Sequence, residues 1–265
     1  MYPIKNEEIL DVSVEAALAA SDIIMEAAKN PQIEKYKKSR SDLVTHTDLE
    51  SERIIKLFIS KNFPDHDILA EESDKKKIDS DYLWVIDPLD GTTNFVHGYP
   101  SYSVSMGVYY KNKPIVATVL EMPHVKLYTS IINKGAWCEG NKIITSKTNA
   151  LKDSLLVTGF GYQHGDLWEK NMDLFKIFTD KSHGVRRLGS ASIDICHVAT
   201  GQADGFWEYD LAPWDSAAGI LIAKESGCTV SQLNGSEYSI YDNNILVTNG
   251  RIHKEMVEEF KNYSN

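Results

Sequence analysis

Cysteine is scarce: the 265-residue chain has three, Cys138, Cys196 and Cys228. Odd in number, widely spaced and without a C-x-x-C pair, they exclude a disulfide framework and are expected as buried, reduced thiols of a cytoplasmic protein. Long apolar runs are missing too. Nothing approaches the roughly 18 residues needed to span a bilayer, and the first eight residues lack the apolar segment of a secretory signal. Basic clusters are equally sparse, since no Lys/Arg block exceeds Lys75-Lys76-Lys77. With a net charge of −10 and a pI near 5.3, the chain repels polyanions, which argues against nucleic acid as the main ligand. A small anionic substrate stays open, because a bound metal reverses the local field. There is no repeat, low-complexity linker or clean domain boundary.

What is present reads as layered, mixed α/β structure. Ile9, Leu10, Val14, Ala17, Leu18, Ile24 and Met25 fall at helical spacing within residues 4–29. Residues 31–43 collect Lys and Ser and read as an exposed loop. Thr47-Asp48-Leu49-Glu50 matches a capping box, so a helix is expected from there to Asn62, with Ile54, Leu57 and Phe58 inward. Strands are expected at 68–70, 82–86, 103–110, 115–120 and 127–132. The second half alternates: strands at 155–157, 184–188, 205–208 and 245–247, helices at 168–178, 190–200, 213–226 and 252–260.

The densest chemistry lies in Trp84-Val85-Ile86-Asp87-Pro88-Leu89-Asp90-Gly91-Thr92-Thr93-Asn94-Phe95. An apolar strand delivers Asp87 to its end, Pro88 fixes φ so that the chain turns, and Asp90 returns to the same side. Gly91 permits a positive φ or a close backbone approach. Carboxylates this close repel unless a cation lies between them, which points to a hard metal with oxygen ligands. Backbone N–H groups after Gly91 can face an anion at a helix start. Neither an EF-hand nor an Asp-x-Asp phosphatase fits, since Pro88 and Leu89 separate the acids. Glu71-Glu72-Ser73 follows another short apolar run, while Asp48 and Asp215 each open a helix, where the dipole favours a carboxylate.

Asp48 at the end of Asp-Leu-Val-Thr-His-Thr-Asp, then Glu71-Glu72-Ser73, Asp87-Pro-Leu-Asp90-Gly-Thr-Thr-Asn-Phe and Trp214-Asp215 resemble, in order, the motifs of inositol monophosphatases. The resemblance covers nearly the whole chain. It implies an α-β-α-β-α sandwich of the sugar-phosphatase, fructose-1,6-bisphosphatase-like type, a single domain with lobes near 1–150 and 151–265. It further implies that Glu71, Asp87, Asp90, Asp215 and the Leu89 carbonyl bind two or three Mg²⁺, and that Asp48 and Thr92 help deprotonate a water held by Glu71. Gly91 and Thr92 would bind phosphate, with Asp90 also on the substrate side. Gly189, Ser190, Ala191 and Glu208 would line the pocket for the alcohol. Homodimerisation and sensitivity to Li⁺ are implied in the same way.

The expected function is Mg²⁺-dependent hydrolysis of a phosphate monoester, foremost inositol 1-phosphate, with a broad substrate range. Fructose 1,6-bisphosphate, NADP and adenosine 3′,5′-bisphosphate are the alternatives. Arg187 is the candidate cation for a second phosphate, opposed by the negative Glu208-Tyr209-Asp210 segment. No Cys-x5-Arg or Ser-His-Asp nucleophile arrangement is evident. His46 reads as a solvated loop residue, His97 as packing near the site and Trp214 as a core anchor. Lys37 and Lys38 are candidates to close over a third metal. A regulatory or RNA-contacting protein that keeps the fold is the alternative of a different class.

Overall fold

The computed structural model describes residues 4–31, 33–36, 43–73, 79–161 and 164–264. Its first half runs α1 (Asn6–Ala27), β1 (Ile33–Tyr36), β2 (Leu43–Thr45), α2 (His46–Asn62), β3 (Asp67–Ala70), β4 (Tyr82–Asp90), α3 (Thr92–His97), β5 (Tyr102–Tyr110), β6 (Lys113–Met122), β7 (Lys126–Ile131), β8 (Ala136–Cys138) and β9 (Asn141–Lys142). The second runs β10 (Leu155–Thr158), α4 (Asp166–Lys181), β11 (Gly184–Arg186), α5 (Ala191–Ala199), β12 (Gly205–Tyr209), α6 (Pro213–Ser216), α7 (Gly219–Ser226), β13 (Thr229–Ser231), β14 (Asn244–Thr248) and α8 (His253–Ser264).

Three apolar clusters hold five layers together. Helices α1 and α2 cover one face of a seven-stranded sheet, β3-β4-β5-β6-β7-β8-β9. Its other face packs through α5 and α7 onto a five-stranded sheet, β11-β10-β12-β14-β13. The outer face of that sheet is closed by α4 and α8 around Phe178, Trp207 and Phe260. This is the expected α-β-α-β-α sandwich. β4 is buried at every position, as a strand covered on both faces must be.

Several local expectations change. The buried stripe of α1 is built from small residues, Ser13, Ala16, Ala17 and Ala20 between Ile9 and Ile24. These let the helix lie close to the sheet, where Ser13 Oγ donates to Thr118 Oγ1 at 2.8 Å, and Leu18 points outward at 42% exposure. On α2 the buried face is Ser51, Glu52, Ile55 and Ile59, flanked by Ile54 and Phe58, which pack against the core as expected, whereas Leu57 is 53% exposed. The capping box sits two residues earlier than expected: Thr45 is the N-cap and Asp48 the N3 residue. Part of the 31–43 loop is strand, β1 pairing with β2, whereas Lys37 and Lys38 lie outside the described residues.

The expected helix over 213–226 is broken into α6 and α7. Tyr109 Oη donates to the Ala217 carbonyl at 3.0 Å, and a Cβ on Gly107 would lie 2.7 Å from both that carbonyl carbon and its oxygen. The break therefore rests directly on β5. Gly107→Ala is expected to destabilise the protein by about 1–3 kcal/mol through overpacking, read as a lower denaturation midpoint.

Candidate active site

Register places the carboxylates. β3 and β4 are parallel with Ala70 opposite Ile86, so Glu71 and Asp87 leave neighbouring strands at one level. β4 does not end at Asp87 as expected but continues through a bulge. Asp87 faces Ser105 and Asp90 faces Ser103, so one extra residue of β4 is accommodated between them. The bulge restores the side-chain phase that an i, i+3 spacing would otherwise lose. Gly91 follows at φ +91°, where a Cβ would meet the Ser101 carbonyl oxygen at 2.9 Å, and α3 begins at Thr92.

Asp87 lies against Glu71, and burial together with Glu71, Asp90 and Asp215 pushes its carboxyl well above the usual range. Burial, then Asp90 and Glu71, raises Asp215 likewise. Asp90 is raised by burial and held back by its hydrogen bonds. Its Oδ2 accepts from Ser190 Oγ (2.7 Å), Ser192 N (2.9 Å) and Ser192 Oγ (2.6 Å). α5, which has no side-chain cap from its own N-cap residue, is thus capped by a carboxylate from β4. Among the described residues, no three Asp, Glu, His or Cys side chains already converge in metal geometry. Instead Asp87 accepts from Leu89 N (3.1 Å) and Asp215 from Ala212 N (2.6 Å).

Asp48 is 1% exposed and uses both oxygens. Oδ2 accepts from Thr45 N (2.8 Å) and Thr45 Oγ1 (2.5 Å), and Oδ1 accepts from Thr92 Oγ1 (2.9 Å). Burial raises it to about 6 against these hydrogen bonds. The Thr92 hydroxyl also lies 3.0 Å from the Leu89 carbonyl.

A cleft of about 160 Å³ joins this group to the second half of the chain, lined by Asp90, Asp215, Gly189, Ser190, Ala191 and Glu208 and also by Asp194, Arg187 and Asp210. Gly189 is stitched to the first half through Asn94, whose Nδ2 donates to the carbonyls of Ser101 and Leu188, both at 2.7 Å. The Glu208 carboxylate lies over Gly159, where a Cβ would come within 2.4 Å of its Oε1. Burial pushes Glu208 well above its ordinary value, aided by Asp194 and opposed by Arg187. His97 is exposed, and Trp214 packs against the central cluster.

The inositol monophosphatase family matches residues 5–265. The chain belongs to that family. It is 48% identical over 262 residues to the chloroplastic phosphatase IMPL1 of Arabidopsis thaliana, covering 96% of this chain and 70% of the relative. It is 42% identical to an inositol-1-monophosphatase of Synechocystis, covering 93% and 86%. It is also 34% identical to the Nus factor SuhB of Pseudomonas aeruginosa, covering 95% of each. The inositol monophosphatase structure from Anabaena superposes with a TM-score of 0.87 at 38% identity, covering 97% and 96%. A dual specific IMPase/NADP phosphatase bound with D-inositol-1-phosphate gives 0.84 at 26%, covering 96% of each chain. As a member of the inositol monophosphatase family, the protein is a phosphoric monoester hydrolase. No described helix is long and apolar enough to cross a membrane.

The sequence reading missed Asp194, fully buried in α5 with both carboxylate oxygens unpartnered. An acid inside a helix carries no mark of which face it takes. It also missed Ser190 and Ser192 as holders of Asp90, and Thr45 as the holder of Asp48.

Proposed function

We propose that the protein is a Mg²⁺-dependent phosphatase of small polyol monophosphates, inositol 1-phosphate foremost, acting through water. The carrying observation is the cleft itself. Among the described residues it is lined by carboxylates from both halves of the chain and one cation, Arg187, around about 160 Å³ of space, less than the roughly 300 Å³ at which drug-sized pockets begin. Such a cleft suits one hydroxyl-bearing ring better than a dinucleotide or a second phosphate.

The donor set fits a hard cation. Glu71, Asp87, Asp90, Asp215 and the Leu89 carbonyl supply only oxygen, and the mutual repulsion of their carboxylates is what a cation would relieve. Bound there, Mg²⁺ would neutralise the phosphate dianion and acidify the attacking water. The chain's own groups do the rest. Thr92 Oγ1 takes a proton from the water as its own passes to Asp48 Oδ1, along the 2.9 Å bond between them. The hydroxide oxygen bonds to phosphorus as the ester P–O bond breaks, and the leaving alkoxide takes a proton from solvent water. Gly91 and Thr92 receive the phosphate, while Glu208 and the Gly189-Ser190-Ala191 turn accept the hydroxyls of the alcohol.

With Asp48 as the terminal acceptor, kcat is expected to fall below about pH 6. Thr45→Val removes a hydrogen bond to the charged form and should move that limb up by about one pH unit, visible in pH–rate profiles. Phosphate release from inositol 1-phosphate, fructose 1,6-bisphosphate, NADP and adenosine 3′,5′-bisphosphate, with Mg²⁺ or with EDTA, tests the function. Turnover strongest on the first and abolished by EDTA is expected, and silence on all of them sinks the reading. Relatives named Nus factor SuhB support a second, regulatory reading, favoured if an inactive variant such as Asp90→Asn rescues a loss-of-function phenotype.

A further inference from the structure

Helix α2 gives three side chains on one face to three separate segments of the site. Asp48 reaches Thr92. Ser51, at i+3, donates from its Oγ to the Pro88 carbonyl at 2.7 Å, holding the β4 bulge. Glu52, at i+4, is 4% exposed and faces the turn that follows β3. Its Oε2 accepts from Glu72 N at 2.8 Å, and its Oε1 accepts from Ser73 Oγ and from Lys56 Nζ, the latter at 2.7 Å. Lys56 also donates to Ser73 Oγ, which closes a ring of contacts around the turn. The residue directly before Glu72 is Glu71, the neighbour of Asp87.

A buried carboxylate that takes a backbone N–H, a hydroxyl and an ammonium is fully engaged, and this combination fixes geometry more firmly than any one bond. With Ser51 holding the Pro88 carbonyl, one turn of helix ties the Glu71 turn to the β4 bulge, in addition to the register of β3 and β4. Metal sites depend on such outer partners, whose loss weakens affinity while leaving the ligands in place.

We infer that Glu52, tied to Lys56 and Ser73, is a positioning residue that sets cation affinity by holding the Glu71 turn against the β4 bulge. This rests on the proposed metal-binding role of Glu71, Asp87 and Asp90.

The test is calorimetric titration of the full-length protein with MgCl₂ alone, beside the Mg²⁺ dependence of phosphate release. Glu52→Gln keeps one oxygen for Glu72 N but turns an NH₂ toward Lys56 and Ser73. Its affinity for Mg²⁺ is expected to fall about 10–100-fold, with kcat at saturating Mg²⁺ within about threefold of wild type. Adding Lys56→Glu gives the new amide an acceptor and should restore most of the affinity, which a merely structural loss would not allow. Ser73→Ala, on the turn itself, covers the case in which Glu52→Gln does not fold. It should weaken binding about 2–10-fold, the worth of one hydrogen bond. Wild-type affinity in Glu52→Gln and Ser73→Ala, or in Ser73→Ala alone if only that variant folds, overturns the inference. A defect in kcat alone, or no rescue by the second substitution, does the same. A wild-type protein that takes up no Mg²⁺ overturns the metal-binding reading and this inference with it.

Discussion

Asp90→Asn is expected to lower kcat by on the order of 10³-fold, comparable to removing one preorganised electrostatic group from a transition state, while raising the stability of the metal-free protein. Both effects come from the loss of one charge, because the cap on α5 survives the substitution. Oδ2 is held by Ser190 and Ser192 at 2.6–2.9 Å, and asparagine keeps an oxygen for that cap. What disappears is a negative charge that pushes up both Asp87 and Asp215, a charge useful only with a cation beside it. Activity should therefore fall as the melting temperature in EDTA rises, a trade characteristic of functional sites. A variant that keeps a tenth of its activity would remove Asp90 from the chemistry. One that melts well below wild type would show that the cap needs the charge.

Raising the pH from 5 to 8 without divalent cation is expected to lower the melting temperature, and Mg²⁺ to reverse the loss. Asp48, Asp87 and Asp215 have folded-state values above the 3.8 of an exposed aspartate. Between the unfolded and folded values, the native state holds more protons than the unfolded chain. Stability therefore declines as pH rises through that window. For Asp48 the window closes at about 6, and Asp87 and Asp215 are shifted in the same direction. Glu121, lowered by His197 and Tyr128 against its burial, acts in the opposite sense but only at the acid end. The imidazoles of His66 and His253, which burial lowers, His66 to about 4, oppose the decline up to about pH 6.5 and not above it. At 100 times its dissociation constant Mg²⁺ would return about 2.7 kcal/mol, roughly 5–10 °C for a chain of this size. Thermal scans at both pH values, with and without Mg²⁺, read this directly, and flat curves indifferent to Mg²⁺ would contradict it.

The segment Asp87 to Thr92 is legible in the sequence because its geometry is made locally: an apolar strand, a proline, a glycine and a helix start follow within a dozen residues. The bulge is not legible, since Asp-Pro-Leu-Asp fits a turn as readily as a strand that continues, and the decision comes from pairing with β5. The capping box was read two residues late for a similar reason. Thr47 with Glu50 and Thr45 with Asp48 both satisfy the pattern, and distant contacts, Thr92 with Asp48 and Ile33 with Thr45, favour the second. The break between α6 and α7 depends on Gly107 and Tyr109 of another strand. Asp194 and Glu52 show the widest gap. Helical acids default to solvent, and nothing local reveals that one lies under the cleft and the other clamps a turn.

The cap that Asp90 gives to α5 bears on how the protein comes into being. The carboxylate and its serine partners are 100 and 102 residues apart, a closure that a growing chain reaches late and at an entropic cost. A nascent chain that has not reached Ser190 carries Asp87 and Asp90 without the hydroxyls and helix end that orient Asp90. The cleft, too, has no second wall until then. Phosphatase competence is thus out of reach until the chain has grown past Ser190 and that closure has formed.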